Sequence, residues 1–503
     1  MKFIFFASII ALSIPTLSSA QKVNGKPNII YILADDLGIG DVKAFNQTGK
    51  IATPNIDALA QSGMRFNDAH SGSAVCTPTR YGILTGRYAW RTRLQEGVLW
   101  GYSRPLIDST ILTVPEFLKS NGFATACIGK WHLGLGWKPK SPQLPGNMDL
   151  KEEDVDFSQP LSSSPINAGF DYYYGISASL DMPPYVYIEN NHVPTLPAKR
   201  TTGTEYINFR AGVNSPDFIV NEVVQTLTNK AAEFLHTNKN KPVFLYFALP
   251  SPHTPLAVSK EFAGKSGICD YADYVMETDW AVGEIMNKLK REDLLENTLV
   301  IFTSDNGYAP YSEYDLLKQA GHNPSYIYKG AKADIYEGGH RIPFIASWPG
   351  KIQGNTISQQ TICLTDLLAT AADIIQTPLP PHAGSDSYSL LPLFSNKINW
   401  NRPPVIHHSI NGAFAIRDGK WKLIFGGGSG GWSNPNDKEA AQEGLPKFQL
   451  YNLDTDPGEH NNVQSAYPDV VKKLTQLMNN IINNGRSTKG EKLVNDTPVK
   501  IWK

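Results

Sequence analysis

A rhythm of short apolar runs, each closed by polar residues, sets the terms on which this chain can fold. The runs at 28–33, 124–128, 243–249, 299–303 and 343–347 are separated by longer amphipathic stretches. Strands alternating with helical stretches predict an α/β fold, a large and mostly parallel sheet with helices packed on its faces. Some of those helices are legible one by one. Thr113-Val-Pro-Glu116 has the spacing of a capping box that starts one, Asn121-Gly122 ends it, and residues 271–290 carry a helical apolar period. Sheets of this kind bind ligands beyond the carboxyl ends of their strands. The residues just after each apolar run are therefore where chemistry is expected.

A chain of 503 residues exceeds the roughly 250–300 at which a single core stops growing, which predicts a second, smaller lobe. The proline-rich stretch around Pro378, Pro380 and Pro381 puts a boundary there. The expected division is a catalytic unit over 21–380 and a C-terminal α+β subdomain over 381–503. Within the latter, runs at 405–409, 413–418 and 421–425 are split by Asn411-Gly412 and Asp418-Gly419, both hairpin signals. A small antiparallel sheet should follow, with its last strand at 448–451, a turn at Asp456-Pro457-Gly458 and a closing helix over 468–483. The Gly/Ser segment 426–431 is expected to be a mobile surface loop and not a phosphate cradle, because no apolar helix follows it.

Lys2, an apolar run over 3–15 and small residues up to Ala20 fit a secretory signal over 1–20. The run is short of the roughly 20 residues a membrane span needs, and no later segment supplies one. The expectation is an exported protein, periplasmic or secreted, with no membrane span. Cys76, Cys127, Cys269 and Cys363 are too scattered for a metal-ligand pair or a disulfide framework. The formal net charge is -1, and with acids and bases interspersed there is no basic stripe. Nucleic acid is accordingly not an expected partner.

The polar strand ends, in order, are Asp35-Asp36, Gly129-Lys130-Trp131-His132, Ser251-Pro252-His253 and Ser304-Asp305-Asn306. One such pair is an ordinary turn or helix cap. Four on one sheet edge point to a site. Three carboxylates and an amide are hard oxygen donors, which suit Ca²⁺, and less well Mg²⁺, over zinc. Between the first two ends lies Cys76-Thr77-Pro78-Thr79-Arg80. Pro78 suits the first turn of a short helix, which would set Cys76 at the positive helix end, where an anion is favoured.

With these motifs in view the chain resembles the formylglycine-dependent sulfatases of the alkaline phosphatase superfamily. The likeness runs through P-N-I-I-Y-I-L-A-D-D-L-G, C-T-P-T-R with Y-G-I-L-T-G-R, G-K-W-H-L-G, S-P-H-T-P, S-D-N-G and Y-E-G-G-H-R to the late L-Y-N-L-D-T-D-P-G-E-H-N-N. The resemblance implies that a maturation enzyme converts Cys76 to formylglycine, whose hydrate is the nucleophile. It implies that Asp35, Asp36, Asp305 and Asn306 hold the cation, which also touches the modified Cys76. It gives Arg80 and Lys130 the task of favouring and orienting the ionised diol, and Lys332 with Lys130 that of binding sulfate. Lys329 competes with Lys332 for that role. His253 is implied as the acid for the leaving alcohol, and His132 as the base that lets sulfate be expelled.

His340, Arg341, His322, Trp100, Arg104 and Asp181, in stretches expected to cover the site, are candidate substrate contacts, against the alternative of loop packing. Among sulfatases the chain looks most like those of polysaccharide-degrading bacteria and the N-acetylgalactosamine or galactose 6-sulfatases. A sulfated glycan is therefore the expected substrate. The competing readings are a phosphodiesterase or phosphonate hydrolase on the same scaffold, and a noncatalytic binder of sulfated glycan in which Cys76 stays a thiol.

Overall fold

In the computed structural model, which describes residues 25–143, 148–395, 400 and 402–502, all five apolar runs are strands. They are β1 (Asn28–Ala34), β2 (Ala124–Lys130), β3 (Val243–Ala248), β4 (Thr298–Ser304) and β5 (Phe344–Ser347). The signal expected over 1–20 lies outside the described residues. One nine-stranded sheet runs in the order Thr356–Ser358, Met64–Phe66, β5, β4, β1, β3, β2, Tyr172–Ile176, Ile188–Glu189. From β4 to Tyr172–Ile176 every pairing is parallel. The run at 343–347 departs from that pattern, since β5 is antiparallel to β4.

β1 shows why the sheet is buried on both sides. Ile29, Tyr31 and Leu33 enter one core while Ile30, Ile32 and Ala34 enter the other, the period-2 division a strand imposes. On the first face lie α1 (Cys76–Thr85) and α2 (Val114–Ser120), through Tyr81, Ile83, Leu84, Phe117 and Leu118. On the second lies α3 (Asp270–Arg291), through Tyr271, Val275, Val282, Ile285 and Leu289. Burying each such large apolar side chain is worth about 1.5–3 kcal/mol. The cap of α2 forms as its sequence predicts, with the Glu116 N–H donating to Thr113 Oγ1 at 3.2 Å.

The smaller sheet is antiparallel in the order β6 (Val405–His408), β7 (Phe414–Asp418), β8 (Trp421–Phe425), β9 (Phe448–Asn452). Leu474, Met478, Ile481 and Ile482 of α4 (Pro468–Asn483) share its core with Tyr88 and Trp90, which follow α1 directly. Upstream of β6, Leu390, Leu393 and Phe394 pack in the core of the large sheet. The segment 426–431 is not the mobile surface loop its composition predicts. Ser429 is fully buried, and its carbonyl accepts from the Ile335 N–H at 2.8 Å. A Cβ on Gly431 would come within 2.5 Å of the Ala333 carbonyl oxygen, so glycine here permits close packing. All four cysteines are free thiols. Among the described residues no helix is long and apolar enough to cross a membrane.

Candidate active site

Register brings the strand ends level. Ala34 stands opposite Ser304 and Leu33 opposite Ala248, so the next residues of β1 and β4, Asp35 and Asp305, emerge side by side. Oxygens of Asp35, Asp36 and Asp305 lie within 4.8 Å of one another. Each carboxylate has a buried cation. Lys130 Nζ donates to Asp35 Oδ2 at 2.6 Å, Lys332 Nζ to Asp36 Oδ2 at 2.7 Å, and Arg80 Nη2 to Asp305 Oδ2 at 2.7 Å. Lys332 is thus the lysine brought to the site. Lys329 lies over the Tyr336 ring at 3.9 Å. For Asp35, burial opposes ionisation, but Lys130, His253 and Arg80 outweigh it and hold its carboxyl below the usual value. Asp305 goes the other way, raised by burial and by the Asp35 charge.

The residues present fit a hard cation. Asp35 Oδ1 and Asn306 Oδ1 are buried with no hydrogen-bond partner, and a buried orphan oxygen is costly unless something coordinates it. The Asn306 amide is oriented by its Nδ2, which donates to Asp36 Oδ1 at 2.7 Å. Charge counting agrees: the three carboxylates are matched by Arg80, Lys130 and Lys332. A divalent ion would leave a positive site, suited to an anionic ester.

Cys76 opens α1 and is 2 % exposed. Arg80, four residues on, shares its helix face. Atoms of Cys76, Asp35 and His253 lie within 4.8 Å of one another. Burial pushes the Cys76 thiol up, with Lys130 and Lys332 pulling against it. A thiol kept protonated in this way is a poor nucleophile as it stands.

The two histidines are fixed differently. His132 Nε2 sits 2.7 Å from the Leu99 carbonyl oxygen, which sets the N–H there, and its Nδ1 is buried without a partner. Leu99 is itself tied to α1, its N–H donating to Thr77 Oγ1 at 3.2 Å. Burial, then the Lys130 and Arg80 charges, hold His132 well below the usual imidazole range. It is neutral at pH 7, with its free lone pair on Nδ1. His253 Nδ1 donates to the Thr254 carbonyl at 2.5 Å, and its Nε2 lies 3.5 Å from Asp36 Oδ2. Asp36 and His132 both adopt positive φ, 62° and 56°, a region non-glycine residues enter at a cost and that recurs at functional sites.

The expected substrate contacts divide. Asp181 lies 3.9 Å from His253 Nδ1 and pairs with Arg210, whose guanidinium covers the half-exposed Trp100 ring at 5.0 Å. The Arg104 N–H donates to Asp149 Oδ1 at 2.8 Å, and the Arg104 carbonyl accepts from Arg93. His322, by contrast, has both ring nitrogens committed inside the protein, to Asp41 Oδ1 at 2.8 Å and the Lys50 N–H at 3.0 Å. It braces the loop after Asp36 and is not a substrate contact. His340 and Arg341 also need correction, since both sit in a buried charge cluster. His340 stacks on His407 at 3.7 Å and its Nδ1 meets His70 Nδ1 at 3.0 Å. Arg341 pairs with Glu337 at 2.9 Å and Asp68 at 3.2 Å.

Arg210, Tyr311 and Trp432 escaped the sequence reading because they belong to no strand end. The Tyr311 hydroxyl lies 3.3 Å from Lys332 Nζ. A cavity of about 750 Å³ lined by Lys119, Tyr172, Lys230 and Phe234 opens beside Ala124 and Tyr172, where their strands begin, at the end of the sheet opposite Cys76. It plays no part in this site.

Comparison with known proteins agrees with this geometry. The family model described as Sulfatase matches residues 27–377. An N-acetylgalactosamine-6-O-sulfatase of Bacteroides thetaiotaomicron is 35% identical, with 94% of this chain and 97% of that protein aligned. Human arylsulfatase A is 32% identical over 92% and 89% of the two chains. A solved structure from a study of glycosaminoglycan metabolism by Bacteroides thetaiotaomicron superposes with a TM-score of 0.80 at 34% identity, covering 91% of this chain and 99% of that one. With carboxylates, lysines and histidines gathered around a buried cysteine at a helix mouth, and with matches of this extent, the chain belongs to the sulfatase family and is a sulfuric ester hydrolase.

Proposed function

We propose that this enzyme removes sulfate from a sulfated saccharide, a 6-O-sulfated hexose or hexosamine, after a maturase has converted Cys76 to formylglycine. The observation that carries the reading is Cys76 at the start of α1, within 4.8 Å of Asp35 and His253, with His132, whose Nδ1 is unpaired, held through Leu99 to the Thr77 hydroxyl of the same helix. The hydrated aldehyde supplies one oxygen to attack sulfur and a second whose deprotonation expels sulfate and restores the aldehyde. Asp35, Asp36, Asp305 and Asn306 would hold the cation, calcium, which contributes Lewis-acid polarisation of the sulfate.

This chain's own residues do the rest. Arg80 and Lys130 favour the ionised nucleophile, and Lys332 with Lys130 neutralises the sulfate. His253, with Nδ1 bonded to the Thr254 carbonyl, has Nε2 left to protonate the departing alcohol oxygen. His132 accepts the second proton on Nδ1. Asp181, beside His253, and Trp100, joined to it through Arg210, are the substrate contacts in this reading, with Arg104 a further candidate. The relatives' activities, N-acetylgalactosamine-6-O-sulfatase among them, support the choice of sugar and position. Lys2, the apolar run over 3–15 and Ala20 support export, to periplasm or medium, which cell fractionation would test.

The deciding assay is desulfation, by enzyme coexpressed with a maturase, of mono- and oligosaccharides sulfated at O2, O3, O4 or O6, with aldehyde content at residue 76 read by mass spectrometry. Turnover of 6-sulfated sugars is expected. Activity confined to aryl sulfates, or faster turnover of 4-nitrophenyl phosphate than of the sulfate, would overturn the reading.

A further inference from the structure

Trp432 is a large aromatic side chain left 44% exposed on a backbone that is anything but loose. Its N–H and that of Ser433 both donate to Asp334 Oδ1, at 2.8 and 3.0 Å. Asp334 lies two residues beyond Lys332. The same short loop is tied to the active site twice more, by Lys332 N–H to the Tyr308 carbonyl and Ala333 N–H to the Ala74 carbonyl, both at 2.8 Å. The Gly/Ser segment before Trp432 makes this possible, because Gly431 passes where any Cβ would strike the Ala333 carbonyl. Trp432 is therefore registered, through the Asp334 carboxylate and the backbone bonds of residues 332 and 333, to the lysine at Asp36 and to the peptide two residues before Cys76.

Its ring meets that of Tyr311, 36% exposed, with centroids 5.7 Å apart and planes at 50°. The Tyr311 hydroxyl reaches Lys332 Nζ at 3.3 Å. An angled aromatic wall thus runs continuously from the cationic pocket to solvent. Exposed aromatics packed on an ordered backbone beside a polar pocket mark a binding surface. A flat apolar wall next to an anion pocket suits a ring that presents C–H groups on one face and an anionic substituent at its edge.

We propose that Trp432, backed by Tyr311, is the platform on which the sugar ring bearing the sulfate stacks, so that the C-terminal subdomain contributes directly to substrate selection. This rests on the reading of the enzyme as a saccharide sulfatase. It assigns Trp432 to binding and not to the chemical step.

The test compares wild type, Trp432→Ala and Trp432→Phe, each matured to equal aldehyde content, on the saccharide of the panel above that wild type turns over fastest, with inhibition by inorganic sulfate measured alongside. Trp432→Ala should raise KM about tenfold, change kcat by less than about threefold and leave sulfate inhibition unaltered, while Trp432→Phe restores most of the loss. An unchanged KM in Trp432→Ala would overturn the proposal. So would weakened sulfate inhibition, which would mean that the substitution had disturbed the Lys332 pocket. If wild type desulfates no saccharide at all, the functional reading falls and this proposal with it. If wild type is active and Trp432→Ala matches it, only the platform falls.

Discussion

With its Nε2–H given to the Leu99 carbonyl, His132 has a single lone pair to offer, on Nδ1. Replacing it with alanine should lower kcat by about 10²–10⁴-fold, the usual worth of a positioned base, with a smaller effect on KM. Steady-state kinetics on matured enzyme check this. A second residue matters for stability. Burial pushes Glu277 up to about 7, its Oε2 accepting from the Ser259 N–H while Oε1 has no partner. Because the folded value exceeds the unfolded one, near ~4.3, its contribution is fully present below the unfolded value and is lost as pH rises through about 7. Glu277→Gln should therefore raise stability at pH 8 by about 3–4 kcal/mol and at pH 5 by no more than about 1 kcal/mol. Denaturation at the two pH values would show no differential if the carboxyl titrates normally.

At the scale of elements, the level strand ends depend on close approach as much as on hydrophobicity. Gly129, one residue before Lys130 on β2, has φ 116°, and a Cβ there would lie 1.9 Å from the Ala248 carbonyl on β3. Gly129→Ala must push the two strands apart. A loss of about 3 kcal/mol or more is expected, together with displacement of Lys130 and so a fall in activity, readable by melting temperature and kcat. The strands, the α2 cap and the hairpins of the small sheet were legible because each depends on local pattern. The antiparallel setting of β5 was not, since a short apolar run does not encode its direction. Nor was the packing of segment 426–431, where composition signals freedom but the neighbours at Ala333 and Asp334 remove it.

Across the whole molecule, a buried charge cluster joins the two sheets. Lys422 of β8 reaches Glu337 at 3.1 Å and Glu459 at 2.8 Å, and Arg417 of β7 reaches Asp68 at 2.5 Å. Glu459, from the late motif that resembled a family signature, is thus a structural partner here. Lys422→Met takes the cation from buried Glu459 and leaves Glu337 to Arg341, and should cost about 3–5 kcal/mol. Since β6 holds the loop leading to Cys76, through the Ala74 N–H to the His408 carbonyl at 2.9 Å, activity should fall with stability. A cation held by the strand-end oxygens would act at the same scale. Chelation should lower the melting temperature and added calcium restore it, by about 2.7 kcal/mol at a hundredfold excess over Kd. A melting temperature indifferent to chelator would argue against a cation at the Asp35, Asp36, Asp305 and Asn306 oxygens.

Sequence alone determined the alternating architecture, the polar strand ends and the motif around Cys76, because periodicity, capping and spacing are properties of neighbouring residues. It also marked Asp35, Asp36, Lys130, His132, His253, Asp305 and Asn306, which follow or end apolar runs. Only the tertiary structure removed Lys329, the competitor of Lys332, to the Tyr336 ring, moved His322, His340 and Arg341 into internal bracing, and brought Trp432 beside Tyr311. Those outcomes depend on which distant segments meet, and a side chain's partners across hundreds of residues are set by packing and by the need to satisfy every buried charge.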